Sequence, residues 1–182
     1  MMQEIDLFAN QLLEEAKRFL EKASESADGE GKAAHLHASL LLLFCALEAH
    51  VNAIGEEFSR QSDLSAHEKS ILLEKDIKLE HGEFMLTQRL RMVSLEDRIE
   101  FLYVRFSGKS LDRSSTSWRG RLSTALSLRN RLTHVRDVPS ISEADVERAI
   151  EAIIATLEAL FQALYRSKFP PVALGTRSRM TF

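Results

Sequence analysis

Arg129 and His134 are the two residues whose types and spacing most readily suggest chemistry. They bracket the stretch Arg129-Asn130-Arg131-Leu132-Thr133-His134. Histidine moves protons near neutral pH because its unperturbed pKa is about 6.5. Arginine holds charge on phosphate oxygens through its bidentate fork. Asn130, between them, has the donors and acceptor to orient either the imidazole or a phosphate. At about 100° per residue, Leu122, Ala125, Leu128, Leu132 and Val135 fall on one side of a helix, and Ser123, Ser127, Asn130 and His134 on the other. His134 is therefore expected to face away from its own core, about 140° from Arg129. The pair can meet across the helix end, through the long arginine side chain, or through a second copy of the chain. The alternative is structural: Arg-Asn at a helix end makes ordinary salt bridges and caps, and His134 sits at the C-terminal dipole.

Other chemistries find less support. His35 and His37 lie two apart, so on a helix they point about 200° apart and do not chelate together. There is no Glu-x-x-His pair for a di-iron bundle, no phosphate loop and no GxGxxG. Neither a metal nor a cofactor is expected. Cys45 is the only cysteine of 182 residues. No intrachain disulfide can form, as suits a cytoplasmic protein. Its place in an apolar stretch predicts a small core residue rather than a nucleophile. Trp118 is expected to anchor a helix start, although beside Arg119 it could stack on a base.

The elements that position these residues are mostly helical. Seven glycines and three prolines leave few turns. Residues 3–26 repeat apolar positions at helical period (Ile5, Phe8, Leu12, Ala16, Phe19, Ala23), with Leu13 and Leu20 widening the stripe, and the Asp28–Gly31 stretch is expected to break that helix. A second helix, 32–60, is apolar nearly all round at its centre, as an inner bundle member is. Its most apolar run, 40–47, is shorter than the about 20 residues a membrane span needs and reads as a buried core segment. The acidic N-terminus lacks the pattern of a signal peptide. Ser65-Ala66-His67-Glu68 is a capping box for a short helix. Over 77–87, Ile77-Lys78-Leu79-Glu80 alternates and His81-Gly82 can turn, which admits a small hairpin or an irregular excursion. Ser94 is expected to cap a helix to 106, a Ser-rich loop follows over 107–117, and a helix spans 118–134. Ser142 is expected to cap the last long helix, 143–167, which Pro170-Pro171 stops. The fold class expected is all-α: four main helices with shorter inserted ones in a single domain, 1–169, followed by a flexible tail, 170–182.

The net charge of −3 hides a strong segregation. Between 89 and 136, eleven cations face four acids, a local surplus of seven, so the rest of the chain carries ten net negative charges. From 113 to 136 there are six arginines and no acid. These arginines either meet phosphates, with Arg119, Arg121, Arg131 and Arg136 as candidate RNA contacts, or pair with acids on neighbouring helices.

The motif and its setting resemble the HEPN superfamily, marked by Arg, a polar residue that is often Asn, and a His four to six residues on. Leu43-Phe44-Cys45-Ala46-Leu47-Glu48-Ala49-His50-Val51-Asn52 is similar to that family's early core helix, in which an acid and an Asn recur. Glu48 and Asn52 are the matching supporting residues. The likeness covers most of 32–167. It implies a HEPN-like bundle and a metal-independent endoribonuclease working as a homodimer, with Arg129, His134 and Asn130 catalytic. It further implies an RNA substrate and a toxin or defence role with an antitoxin protein as partner. In one branch a Tyr two residues after the His is the modified residue. Arg136 stands there in this chain, which argues against that route of regulation. The other reading is a non-catalytic HEPN-like module for dimerisation, partner docking or RNA binding.

Overall fold

The computed structural model describes residues 4–112, 116–134, 140–170 and 175–182. Over these the chain is mostly helical, with six helices and one two-stranded sheet in the order α1 (Glu4–Glu25), α2 (Gly29–Phe58), α3 (Ala66–Leu73), β1 (Lys75–Glu80), β2 (Glu83–Leu90), α4 (Leu95–Ser107), α5 (Ser117–Thr133) and α6 (Glu143–Leu164). α1, α2, α5 and α6 are the long members, and α1 packs along α2 while α5 packs along α6. The core joins Leu13, Leu40, Leu47 and Val51 with Ile99, Leu122, Ile150 and Leu157.

Local chemistry sets most boundaries. Ser65 and Ser142 each form a reciprocal capping box, with Glu68 and Asp145, which meets two otherwise orphaned N–H groups at each helix start. Ser94 caps α4 by accepting from the Asp97 N–H. The expected hairpin forms, with Ile77 opposite Leu86 and Leu79 opposite Phe84. Its turn places His81 at φ 51° and Gly82 at φ 87°. Two consecutive positive φ values give the right-handed twist a two-residue hairpin needs, and glycine accepts one without a Cβ penalty.

Three expectations are corrected. The 28–31 stretch does not separate the helices as a four-residue break. Asp28 is the N-cap of α2, its carboxylate accepting from the Glu30 and Gly31 N–H groups, so both glycines lie inside the first turn. In α1 the buried stripe is Ala9, Leu13, Ala16, Leu20 and Ala23, while Phe8 is 55% exposed. That stripe also buries Lys17 completely, its ammonium 3.0 Å from Glu14 Oε1. α2 is not apolar all round: Leu41, Cys45, Glu48 and Asn52 form an exposed strip. Cys45 is thus a surface thiol. Its pKa is raised, first by partial burial and then by the Glu48 carboxylate, which keeps it a thiol.

α2 is long and apolar enough to cross a membrane by length and composition, and 61% of its most apolar window is buried within the fold. Gly55 on this helix lets the last turn of α3 come close. A Cβ there would sit 2.6 Å from the Leu72 carbonyl oxygen. The segment after Pro170, expected as a tail, lies along α1 over 175–182. The Ser178 hydroxyl donates to the Glu14 carbonyl, Arg18 Nε donates to the Phe182 carbonyl, and the Phe182 ring meets Phe19 edge-on.

Candidate functional site

α5 positions Arg129 and Asn130 as helical arithmetic expects, but it ends one residue before His134. Leu122, Ala125 and Leu128 are buried, while Ser123, Ser127, Asn130 and His134 are exposed. Helical backbone ends at Thr133. His134 is the C-cap, at φ −121° and ψ 62°, its N–H donating to the Asn130 carbonyl. The imidazole is therefore carried on a residue that has left the helix. Val135 and Arg136 lie outside the described residues.

Four sequence-predicted residues come together. Arg129 and Asn130 from α5 and Glu48 and Asn52 from α2 line one cleft of about 460 Å³, with Glu74, Ser94, Arg98 and Ser127. His134 is not among its lining residues. The Arg129 guanidinium carbon lies 5.2 Å from the centre of the Phe44 ring. That stacking suits a planar, weakly hydrated cation. Arg129 Nε is buried and has no hydrogen-bond partner, so one donor of its fork is unspent on the protein.

Arg98 was counted in the sequence only as one cation among eleven, yet it organises the cleft floor. Only 4% of it is exposed. Its Nη2 donates to Asn52 Oδ1 at 2.7 Å and to the Leu72 carbonyl at 3.2 Å, and its Nη1 lies 2.8 Å from Glu74 Oε2. Burial lowers its pKa, and the Glu74 and Glu48 carboxylates oppose that. Arg98 thereby fixes the Asn52 amide with its oxygen turned to the guanidinium. The available signal was positional, since Arg98 falls in the apolar stripe Leu95, Ile99 and Leu102 where an unpaired charge would be costly.

The remaining arginines divide between the two readings of the charge. Arg119 pairs with Glu100 of α4. Arg105 pairs with Glu68 at 2.6 Å and with Asp63 at 2.9 Å. These cations neutralise acids of the fold. Arg121 and Arg131 are exposed and line a second groove of about 510 Å³ between α5 and α6, together with Arg148. Ser127 lines both grooves. Both hollows beside α5 are mixed in charge: Glu48, Glu74 and Glu96 line the first with Arg98 and Arg129, and Glu151 and Asp145, the partner of Arg148, line the second. Among the described residues, no group of three or more His, Cys, Asp or Glu side chains is placed to hold a metal ion. In comparisons with family models, curated proteins and solved structures, nothing matches this chain.

Proposed function

We propose that the chain is a metal-independent endoribonuclease of HEPN type, acting as a homodimer and serving as a toxin or defence component. The observation that carries the reading is the cleft in which Arg129 and Asn130 meet Glu48 and Asn52, the residues that the motif and the early-helix resemblance single out independently. The place of Arg129 in the cleft lining, beside Asn130, supports a role in holding a phosphate. In the reaction, a ribose 2′-hydroxyl attacks the adjacent phosphorus as His134 takes its proton. The P–O5′ bond breaks and the 5′-oxygen leaves with a proton given up by a protonated imidazole, giving a 2′,3′-cyclic phosphate and a 5′-hydroxyl end. Arg129 stabilises charge on the non-bridging oxygens. Asn130 orients the phosphate or the imidazole. A two-fold pairing of chains brings a second His134 to the same phosphate and makes a composite site.

A second reading rests on a specific observation. His134 is exposed and lies outside the cleft, which favours a non-catalytic module that holds RNA through Arg121 and Arg131. End analysis of RNA incubated with the protein in EDTA separates the two. Cyclic phosphate ends are expected of the enzyme. Salt-sensitive binding with intact RNA is expected of the module and would overturn the proposal.

A further inference from the structure

The cleft lined by Arg129 and Asn130 has a second wall, on α2, whose chemistry suits a base better than a phosphate. Glu48 and Asn52 line it from that side. They lie one turn apart and both are exposed, so their side chains are neighbours on one helix face. Arg98 bonds Glu74, Asn52 and the Leu72 carbonyl, and makes no hydrogen bond to Glu48. The Glu48 carboxylate is thereby left to face the solvent of the cleft.

Arg98 also decides which end of the Asn52 amide is presented. A guanidinium only donates, so the amide oxygen faces it, at 2.7 Å, and the NH₂ group is the end left for a ligand. The α2 wall thus offers a two-oxygen acceptor and, one turn on, an N–H donor. A phosphate is repelled by Glu48 and finds its cation on the α5 wall, at Arg129. An uncharged nucleobase presents donors and acceptors together. On guanine, N1–H and N2–H are adjacent donors that match the two oxygens of one carboxylate, and O6 beside them accepts. Adenine and cytosine offer this pair one amine and one ring nitrogen, hence two bonds rather than three. Uracil flanks its single N–H with two carbonyls, which repel a carboxylate. These edges are open to a protein on unpaired bases of RNA.

We propose that Glu48 and Asn52 read an unpaired guanine of the RNA chain, Glu48 accepting from N1–H and N2–H and Asn52 Nδ2 donating to O6. The proposal rests on the ribonuclease reading for its substrate and names the base next to the phosphate held at Arg129 and Asn130.

The test uses labelled short oligouridylates carrying one central guanine, adenine, cytosine or inosine. Binding is followed by fluorescence anisotropy at fixed salt on His134→Ala, and cleavage is mapped with the wild type in EDTA. The guanine oligomer is expected to bind about tenfold tighter than the adenine or cytosine oligomer, the worth of one more charge-assisted bond. Inosine, which lacks the N2 amine, should fall to their level. Glu48→Gln in the same background, a change at an exposed position, should fold normally and lose the preference. Equal binding of the four oligomers, a guanine preference retained in Glu48→Gln, or competition by free 5′-GMP as strong as that of the guanine oligomer would each overturn the proposal. Guanine-selective binding without cleavage would support the base site and sink the ribonuclease reading alone. Cleavage without base preference would overturn the base site alone.

Discussion

Arg98 and His50 are both buried basic side chains against α2, and they resolve burial in opposite ways. Arg98 keeps its charge because the fold supplies a carboxylate, an amide oxygen and a backbone carbonyl around it. His50 is given no hydrogen-bond partner, and burial drives its pKa down to about 4, with only Asp6 pulling the other way. A guanidinium cannot shed its proton, so a buried one must be matched by partners. An imidazole can discharge itself. One side of α2 consequently carries a fixed positive centre beside an open cleft, and the other a neutral imidazole packed edge-on against Phe169.

The comparison can be broken most forcefully at Arg98. Arg98→Met is expected to cost about 3 kcal/mol in urea unfolding, because Glu74 and Asn52 lose their shared partner. Glu74→Gln should cost less, since Glu74 is partly exposed. An unchanged midpoint in Arg98→Met would mean that the matched charge contributes nothing.

The His50 side is sharpened by pH. Its folded pKa lies below the ordinary 6.5, so the unfolded chain takes up the proton first as pH falls. Stability is full above about 6.5, declines on the way down to about 4, and levels off below that. The group's share of the loss is about 3 kcal/mol. Unfolding curves at several pH values, compared between the wild type and His50→Phe, check it. The variant should lose that part of the slope, and identical slopes would contradict a neutral buried His50.

Smaller effects follow at the supports. Gly55→Ala forces the Leu72 carbonyl, an acceptor for Arg98, to move, and should destabilise by about 2 kcal/mol in the same assay. Tyr165→Phe removes one hydrogen bond, to the exposed Glu57 carboxylate, and should cost under about 1 kcal/mol.

Legibility in the sequence followed the same division. The caps at Ser65, Ser94 and Ser142, the hairpin turn at His81-Gly82 and the inward face of α5 are set by neighbours in the chain, and local rules reach them. The convergence of Arg129 and Asn130 with Glu48 and Asn52 was reached through resemblance rather than through helical geometry, which says nothing about which helices adjoin. Arg98 and His50 were missed as buried groups because their partners, or the lack of them, come from distant segments, and Lys17 was missed although its partner, Glu14, lies one turn away in the same helix. Cys45 was misplaced because an apolar run was read as buried all round, whereas α2 keeps one strip open beside Arg129.

The most direct test of the proposed ribonuclease is the single-turnover rate of RNA cleavage in EDTA by the wild type, Arg129→Ala and His134→Ala, with folding and RNA binding measured on the same samples. Both side chains are at or near the surface of α5, so the folds should be preserved. Cleavage by the wild type and a loss of about 100-fold or more in each variant is the expected result. Undiminished cleavage in either variant, or RNA bound but left intact by the wild type, would contradict the assignment of Arg129 and His134 as catalytic residues.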